Sequence, residues 1–407
     1  MKHPGFAEAL TAGQRRASEL LSPSAEEQLR LGYFHTLHEI LQQPSTWLDT
    51  CQRMQSNTAT LHWATDEAEG MVLTGSGSSE YAGECIRLLL QSELGITVQT
   101  IGGGALLTLG RDVMPPRRPA TMVSLARSGD SPESTGALSR ILDTDPDVRH
   151  LVLTCNQDGA LAASYSGDPR VRVIALDPRT NDSSLVMTSS FTNMVLAARA
   201  LGLLDRAEEY GNICECLSRV CRSVFLHHFD DLVNAGKRGF RRAVFLGTGS
   251  RWGAARESAL KMLEMTEGRV ATLYETWLGL RHGPMSFIDR DTIVIGFLSS
   301  DPLLRAYETD LLAELDRKQL GAGIVIVGGN VPRALVRTQD ILIEAAGIEE
   351  LREEEAPVIE VVVGQLLAFG RCLEEGLHPD SPSQSGVIQR VVGSFTVHDH
   401  RSPTSPK

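Results

Sequence analysis

TMVSLARSGDSPEST, residues 121–135, passes from an apolar run through a loop of hydroxyls into the start of a helix. Met122, Val123 and Leu125 read as a buried strand that stops at Arg127, while Pro132 and Glu133 suit a helix's first turn. Between them Gly129 can turn its amide toward a ligand. A strand that ends in such a loop and opens a helix presents free N–H groups and a positive dipole end. That arrangement binds anions, and phosphate is the usual one. The same residues also make an ordinary strand–helix turn with a serine cap, so this stretch alone leaves both accounts open.

Around this loop the chain keeps an α/β rhythm. Strands are expected at 71–74, 98–101, 121–125, 151–154 and 171–176, separated by helical stretches. Helices between strands imply parallel crossovers, hence a doubly wound sheet covered on both faces. Ligands of such sheets lie at the carboxyl ends of the strands. The turn Gly75-Ser76-Gly77-Ser78-Ser79 and the loop at 126–131 both fall there and are placed to line one crevice. The pattern then restarts: Ala243-Val244-Phe245-Leu246-Gly247-Thr248-Gly249-Ser250 repeats the order strand, Gly/Ser/Thr turn, small-residue helix seen at 71–84. Further strands are expected at 270–274, 292–297, 324–327 and 341–343. The expected class is α/β, with two tandem doubly wound parallel-sheet units at 61–206 and 241–377. A helical segment (1–60) precedes them, a helical connector (207–240) joins them, and a tail (378–407) follows, with a strand-like piece at 391–397.

A chain of 407 residues, 42% hydrophobic and 22% charged, can bury a sizeable core. Its net charge of −12 argues against nucleic acid as the main partner, so any anion site must be local. No apolar run reads as membrane-spanning and the N-terminus lacks a signal-peptide core, which makes the cytoplasm the expected location. The seven cysteines form no metal-spaced pairs and read as reduced structural thiols; even Cys214, Cys216 and Cys221 have no partner at zinc spacing. His35 and His38 share a helical face and read as surface histidines.

Three charged residues on one later helix carry the candidate chemistry. Offsets of four and three put Glu257, Lys261 and Glu264 on one face. Solvated helix surfaces carry this pattern constantly. Here the neighbours are small and apolar (Ala254, Ala255, Ala259, Leu260, Met262, Leu263), which draws the charges toward a partly buried site. A glutamate held beside a lysine in low dielectric can shuttle protons. Downstream, Gly283-Pro284 fixes a tight turn after His282 and holds an imidazole at a loop tip, as either a catalytic group or an ordinary loop histidine.

Taken together, the two Gly/Ser turns, the RSGDSPES loop and the E-x3-K-x2-E…R-H-G-P series resemble the sugar isomerase (SIS) family. They are most similar to its tandem members, related to the isomerase half of glucosamine-6-phosphate synthase. GYFHTL (32–37), ARSGDSPES (126–134), LGLRHGP (278–284) and SPSQSGVIQRVV (381–392) resemble the AgaS branch. That resemblance implies a galactosamine-6-phosphate deaminase/isomerase, or a tagatose-6-phosphate ketose/aldose isomerase. It assigns the sugar phosphate to Ser78, Ser79, Ser128, Ser131 and the backbone around Gly129. Glu264 becomes the carboxylate that moves a proton between C1 and C2, with Lys261 and Glu257 orienting the sugar hydroxyls. His282 becomes the ring-opening histidine, contributed to the neighbouring subunit's site, so a homodimer or larger oligomer with shared sites is expected. No metal or redox cofactor is required.

The chain departs from the synthase pattern in three places. Ala126 stands where the synthase has a further serine, and Gly393 where it has its Schiff-base lysine; Lys407 lies beyond that point. The glutamine-hydrolysing domain is absent, so glutamine-dependent synthesis is not expected. A glucosamine-6-phosphate deaminase and a plain ketose/aldose isomerase remain open on the same scaffold. A non-catalytic sugar-phosphate regulator is the alternative of a different class. It would be expected to carry an effector domain and to have lost the proton-moving carboxylate, whereas Glu264 and His282 are present.

Overall fold

The computed structural model describes residues 5–165, 167–393 and 395–398. Five helices open it: α1 (Phe6–Gly13), α2 (Arg15–Leu21), α3 (Ala25–Leu31), α4 (Phe34–Gln55) and α5 (Thr58–Thr65). The first sheet then forms from β1 (Gly70–Gly75), α6 (Ser78–Leu94), β2 (Thr97–Gly102), α7 (Gly103–Leu109) and β3 (Ala120–Ala126). It is completed by α8 (Pro132–Thr144), β4 (Val148–Thr154), α9 (Ala160–Ala163) and β5 (Val171–Ala175). Helices α10 (Ser189–Arg199) and α11 (Ala207–Ala235) lead to the second set. This set contains β6 (Arg242–Leu246), α12 (Arg251–Met265), β7 (Ala271–Glu275), β8 (Thr292–Phe297) and α13 (Pro302–Arg317). Strands β9 (Gly323–Val327) and β10 (Ile341–Ile343) and helix α14 (Ala356–Glu374) follow.

Both sheets are five-stranded and wholly parallel, ordered β2-β1-β3-β4-β5 and β10-β9-β8-β6-β7. Reversing the second list gives β7-β6-β8-β9-β10, the first order element for element. β1 thus corresponds to β6 and β3 to β8, which confirms the repeat at the level of topology. Fully parallel sheets need both faces covered, and the central strands are apolar and buried throughout, as in β1, β3 and β8.

Two expectations need correction. The stretch 391–397 forms no strand among its described residues, 391–393 and 395–397. Val392 and Gly393 of this stretch line a cavity instead. Helix α14 is apolar and long enough, by length and composition, to cross a membrane, against the expectation that no such run exists. It is 94% buried among α11, α12 and α4, so its hydrophobicity belongs to the core.

Candidate functional site

Helices α6 and α12 begin at the carboxyl ends of corresponding strands and pack against each other between the two sheets. The contact is close: a Cβ on Gly253 would lie 2.6 Å from the Cys85 amide nitrogen, so only glycine fits. This approach brings Ser78, on the first turn of α6, within reach of α12. The Lys261 ammonium donates to Ser78 Oγ at 3.1 Å and to Glu264 Oε2 at 2.5 Å. It also lies 3.3 Å from Glu257 Oε1. The helical offsets read in the sequence therefore produce one cluster.

The cluster is not a solvated face. Glu257 and Lys261 are fully buried, and only Glu264 is partly open, with 24% of its side chain exposed. Burial pushes the Glu257 carboxyl up to about 7, against the pull of Lys261. Its neighbours are the Lys261 ammonium and the Ser78 hydroxyl, and both favour the charged form against burial. Burial works to lower the Lys261 ammonium, but the two carboxylates outweigh it and hold it above the ordinary lysine value. A fixed ammonium between two carboxylates of unequal exposure leaves Glu264 as the one that faces incoming molecules.

A cavity of about 620 Å³ opens over Glu264. Its floor is Ser76, Gly77, Ser78 and Tyr81 from the β1–α6 turn with Leu260 and Glu264 of α12. Arg127 and Glu133 bring the β3–α8 loop to its wall, and residues 387–390 with 392 and 393 form its roof. The Arg127 guanidinium donates to the carbonyls of Ser184 and Leu185 and to that of Arg390 in the roof. Arg390 in turn donates to Asp182 O at 2.7 Å and Asn181 Oδ1 at 2.6 Å.

The β3–α8 loop turns at Gly129. Gly129 has φ +71°, a left-handed conformation that suits glycine. Ser128 Oγ accepts from the Asp130 N–H at 3.3 Å, and Ser131 Oγ donates to Glu133 Oε2 at 2.7 Å. No side chain of the described residues accepts from the amides of Ser128, Gly129 or Ser131. Ser79 is buried and its hydroxyl faces Met187 Sδ at 4.0 Å, at the cavity wall.

The structure thus gathers Ser78, Glu257, Lys261 and Glu264, and sets the loop of Ser128, Gly129 and Ser131 beside the same cavity through Arg127 and Glu133. It does not bring His282 to them. That residue lies exposed on the turn after β7 and does not line the cavity. Arg127, Tyr81, Glu133 and Arg390 were not singled out from the sequence. For Arg127 a signal existed, a cation directly before the hydroxyl loop. No group of three or more His, Cys, Asp and Glu side chains among the described residues is arranged to hold a metal.

The SIS domain family matches residues 238–370, the second unit. The D-galactosamine-6-phosphate deaminase AgaS of Escherichia coli O157:H7 is 31% identical over 374 residues, 89% of this chain and 95% of that protein. The chain belongs to the SIS family, in its AgaS branch. A crystal structure from Clostridium novyi NT superposes with a TM-score of 0.87 at 30% identity, covering 94% of this chain and 99% of the other. The tagatose-6-phosphate ketose/aldose isomerase structure from Escherichia coli gives 0.80 at 28%, covering 90% and 97%. This AgaS-branch protein is accordingly a sugar-phosphate isomerase-type enzyme with two SIS-like halves.

Proposed function

We propose that the chain converts galactosamine 6-phosphate and water to tagatose 6-phosphate and ammonia. The observation that carries this reading is likeness over nearly the full length to a protein named for that deamination. The cluster at the cavity supports it chemically. In the open-chain sugar, Glu264 takes the proton from C2, which bears the amine, and returns it at C1. The C2 imine that results adds water and releases ammonia, leaving the ketose. One carboxylate that reaches both carbons suffices, while Lys261 donates to the oxygen that gains charge and Ser78 holds the ammonium in place. The phosphate is assigned to the loop of Ser128, Gly129 and Ser131, with Ser78, Ser79 and Arg127 at its edge. Fixing the sugar at this remote end positions C1 and C2 over Glu264.

His282 of the partner subunit is assigned to ring opening, which makes the working unit a homodimer or larger. A phosphorylated substrate, retained within cells by its charge, supports a cytoplasmic location.

The test is ammonia release from galactosamine 6-phosphate and glucosamine 6-phosphate measured side by side. Release from the galacto compound alone is expected. Glu264→Gln is expected to lower kcat on the order of 100- to 10,000-fold while sugar-phosphate binding persists. Release from the gluco compound alone would reassign the sugar. Binding without ammonia from either would point to a sensor instead.

A further inference from the structure

In the second sheet, β8 ends in Leu298-Ser299-Ser300-Asp301-Pro302, at the position where β3 ends in Arg127-Ser128-Gly129-Asp130-Ser131-Pro132. Both loops start a helix with proline in its first turn. Yet the second loop already holds an anion. The Glu353 carboxylate accepts from the N–H groups of Ser300 and Asp301 and from the hydroxyls of Ser299 and Ser300. Its other partner is the buried Arg251 guanidinium, at the N-terminus of α12. Two amides, two hydroxyls and a guanidinium converging on one pair of oxygens is the donor set that a phosphate would take. Burial opposes ionisation of Glu353, but Arg251 and the two serines outweigh it and hold the carboxyl below its ordinary value, as an anion.

Beside this nest lies a cavity of about 380 Å³ lined by Arg251, Ser300, Arg305, Gly328, Gly329 and Glu360, among others. Glu360 is 2% exposed, and its Oε2 has no hydrogen-bond partner among the described residues. It is an unused acceptor facing space large enough for a small polyol. We propose that the second unit contains a phosphate-binding site of its own, held closed by Glu353 as its resident anion, whose class of ligand is a small phosphomonoester.

Aligning Gly75 with Gly247 sets Cys85, Leu89 and Ser92 of α6 against Glu257, Lys261 and Glu264 of α12, so α6 brings no counterpart of that triad to the second nest. The carboxylates there are Glu353, Glu308 and Glu360. The proposal does not rest on the substrate assigned to the first site.

The probe is inorganic phosphate, counted per chain by equilibrium dialysis on the full-length protein and on Glu353→Ala. The variant is expected to take up one more phosphate per chain than the unmodified protein. Adding Ser299→Ala and Ser300→Ala is expected to weaken that extra binding at least tenfold. Equal uptake by the unmodified protein and a folded Glu353→Ala, or extra binding that survives loss of both serines, would overturn the proposal. If Glu353→Ala fails to fold by circular dichroism, Glu353→Ser is held to the same count. Because only the difference between proteins is read, failure of the first-site assignment leaves the result interpretable.

Discussion

Lys261 is the residue on which the charge balance of the site depends. Burial raises Glu257 to about 7 from 4.5, so the folded chain binds more protons there than the unfolded one. That group's contribution to stability therefore falls as pH rises from about 4.5 to about 7. Lys261 limits the rise, and without it the buried carboxylate has no cation. Lys261→Met is expected to cost about 3–5 kcal/mol at pH 8, and less at pH 5.5, where the variant's Glu257 is protonated. Urea unfolding at the two pH values checks this; equal losses would mean that Glu257 carries no buried charge. The face shared by Glu257, Lys261 and Glu264 was legible from their offsets, and the small neighbours hinted at its burial. Glu353 was not legible. It sits in Arg352-Glu353-Glu354-Glu355, a run that reads as a solvated face, and only the folded chain sets one of its carboxylates against Ser299, Ser300 and Arg251.

At the scale of elements, the position of α12 is set by its contact with α14. Gly364 of α14 faces Ser258, and a Cβ there would come within 2.2 Å of the Ser258 hydroxyl oxygen. Gly364→Ala must push α12 away, and α12 carries Glu257, Lys261 and Glu264, the cluster assigned to proton transfer. The expected result is a loss of about 1–3 kcal/mol in stability together with lower kcat. Adding Ser258→Gly makes room and is expected to restore much of both, as measured by thermal unfolding and turnover. A double variant no better than Gly364→Ala would show that the two helices do not meet through this pair. Strand positions were the most legible elements because most are short apolar runs, several of them, such as β1, β6 and β9, closed by a glycine at the turn. The stretch 391–397 misled because its apolar residues look like one face of a strand. Both sheets, however, are formed without it, and Val392 and Gly393 line the cavity instead.

For the whole molecule, the position of His282 is the decisive observation. It is exposed and outside the cavity of its own chain. If it acts in a neighbour's site, Glu264→Gln and His282→Asn subunits, each inactive alone, are expected to regain activity when mixed and allowed to exchange. In a dimer one of the two sites then has both residues intact, so a mixed dimer should recover about half of the unmodified activity. No recovery after demonstrated exchange would confine each site to a single chain. The topology of the molecule was legible from the sequence as a repeat, but the pairing of α6 with α12 was not. Periodicity identifies which face of a helix is apolar, and not which other helix will cover it.

The bond from Lys261 to Ser78 joins residues 183 positions apart and crosses from one half of the molecule to the other. A peptide cut anywhere in the segment between β5 and β6 leaves both sheets covalently whole, yet it severs the main-chain link between Ser78 and the β3–α8 loop on one side and Glu257, Lys261 and Glu264 on the other. The two fragments could work only by reassociating, so enzyme activity after such a cut would follow fragment concentration, as in a bimolecular complex.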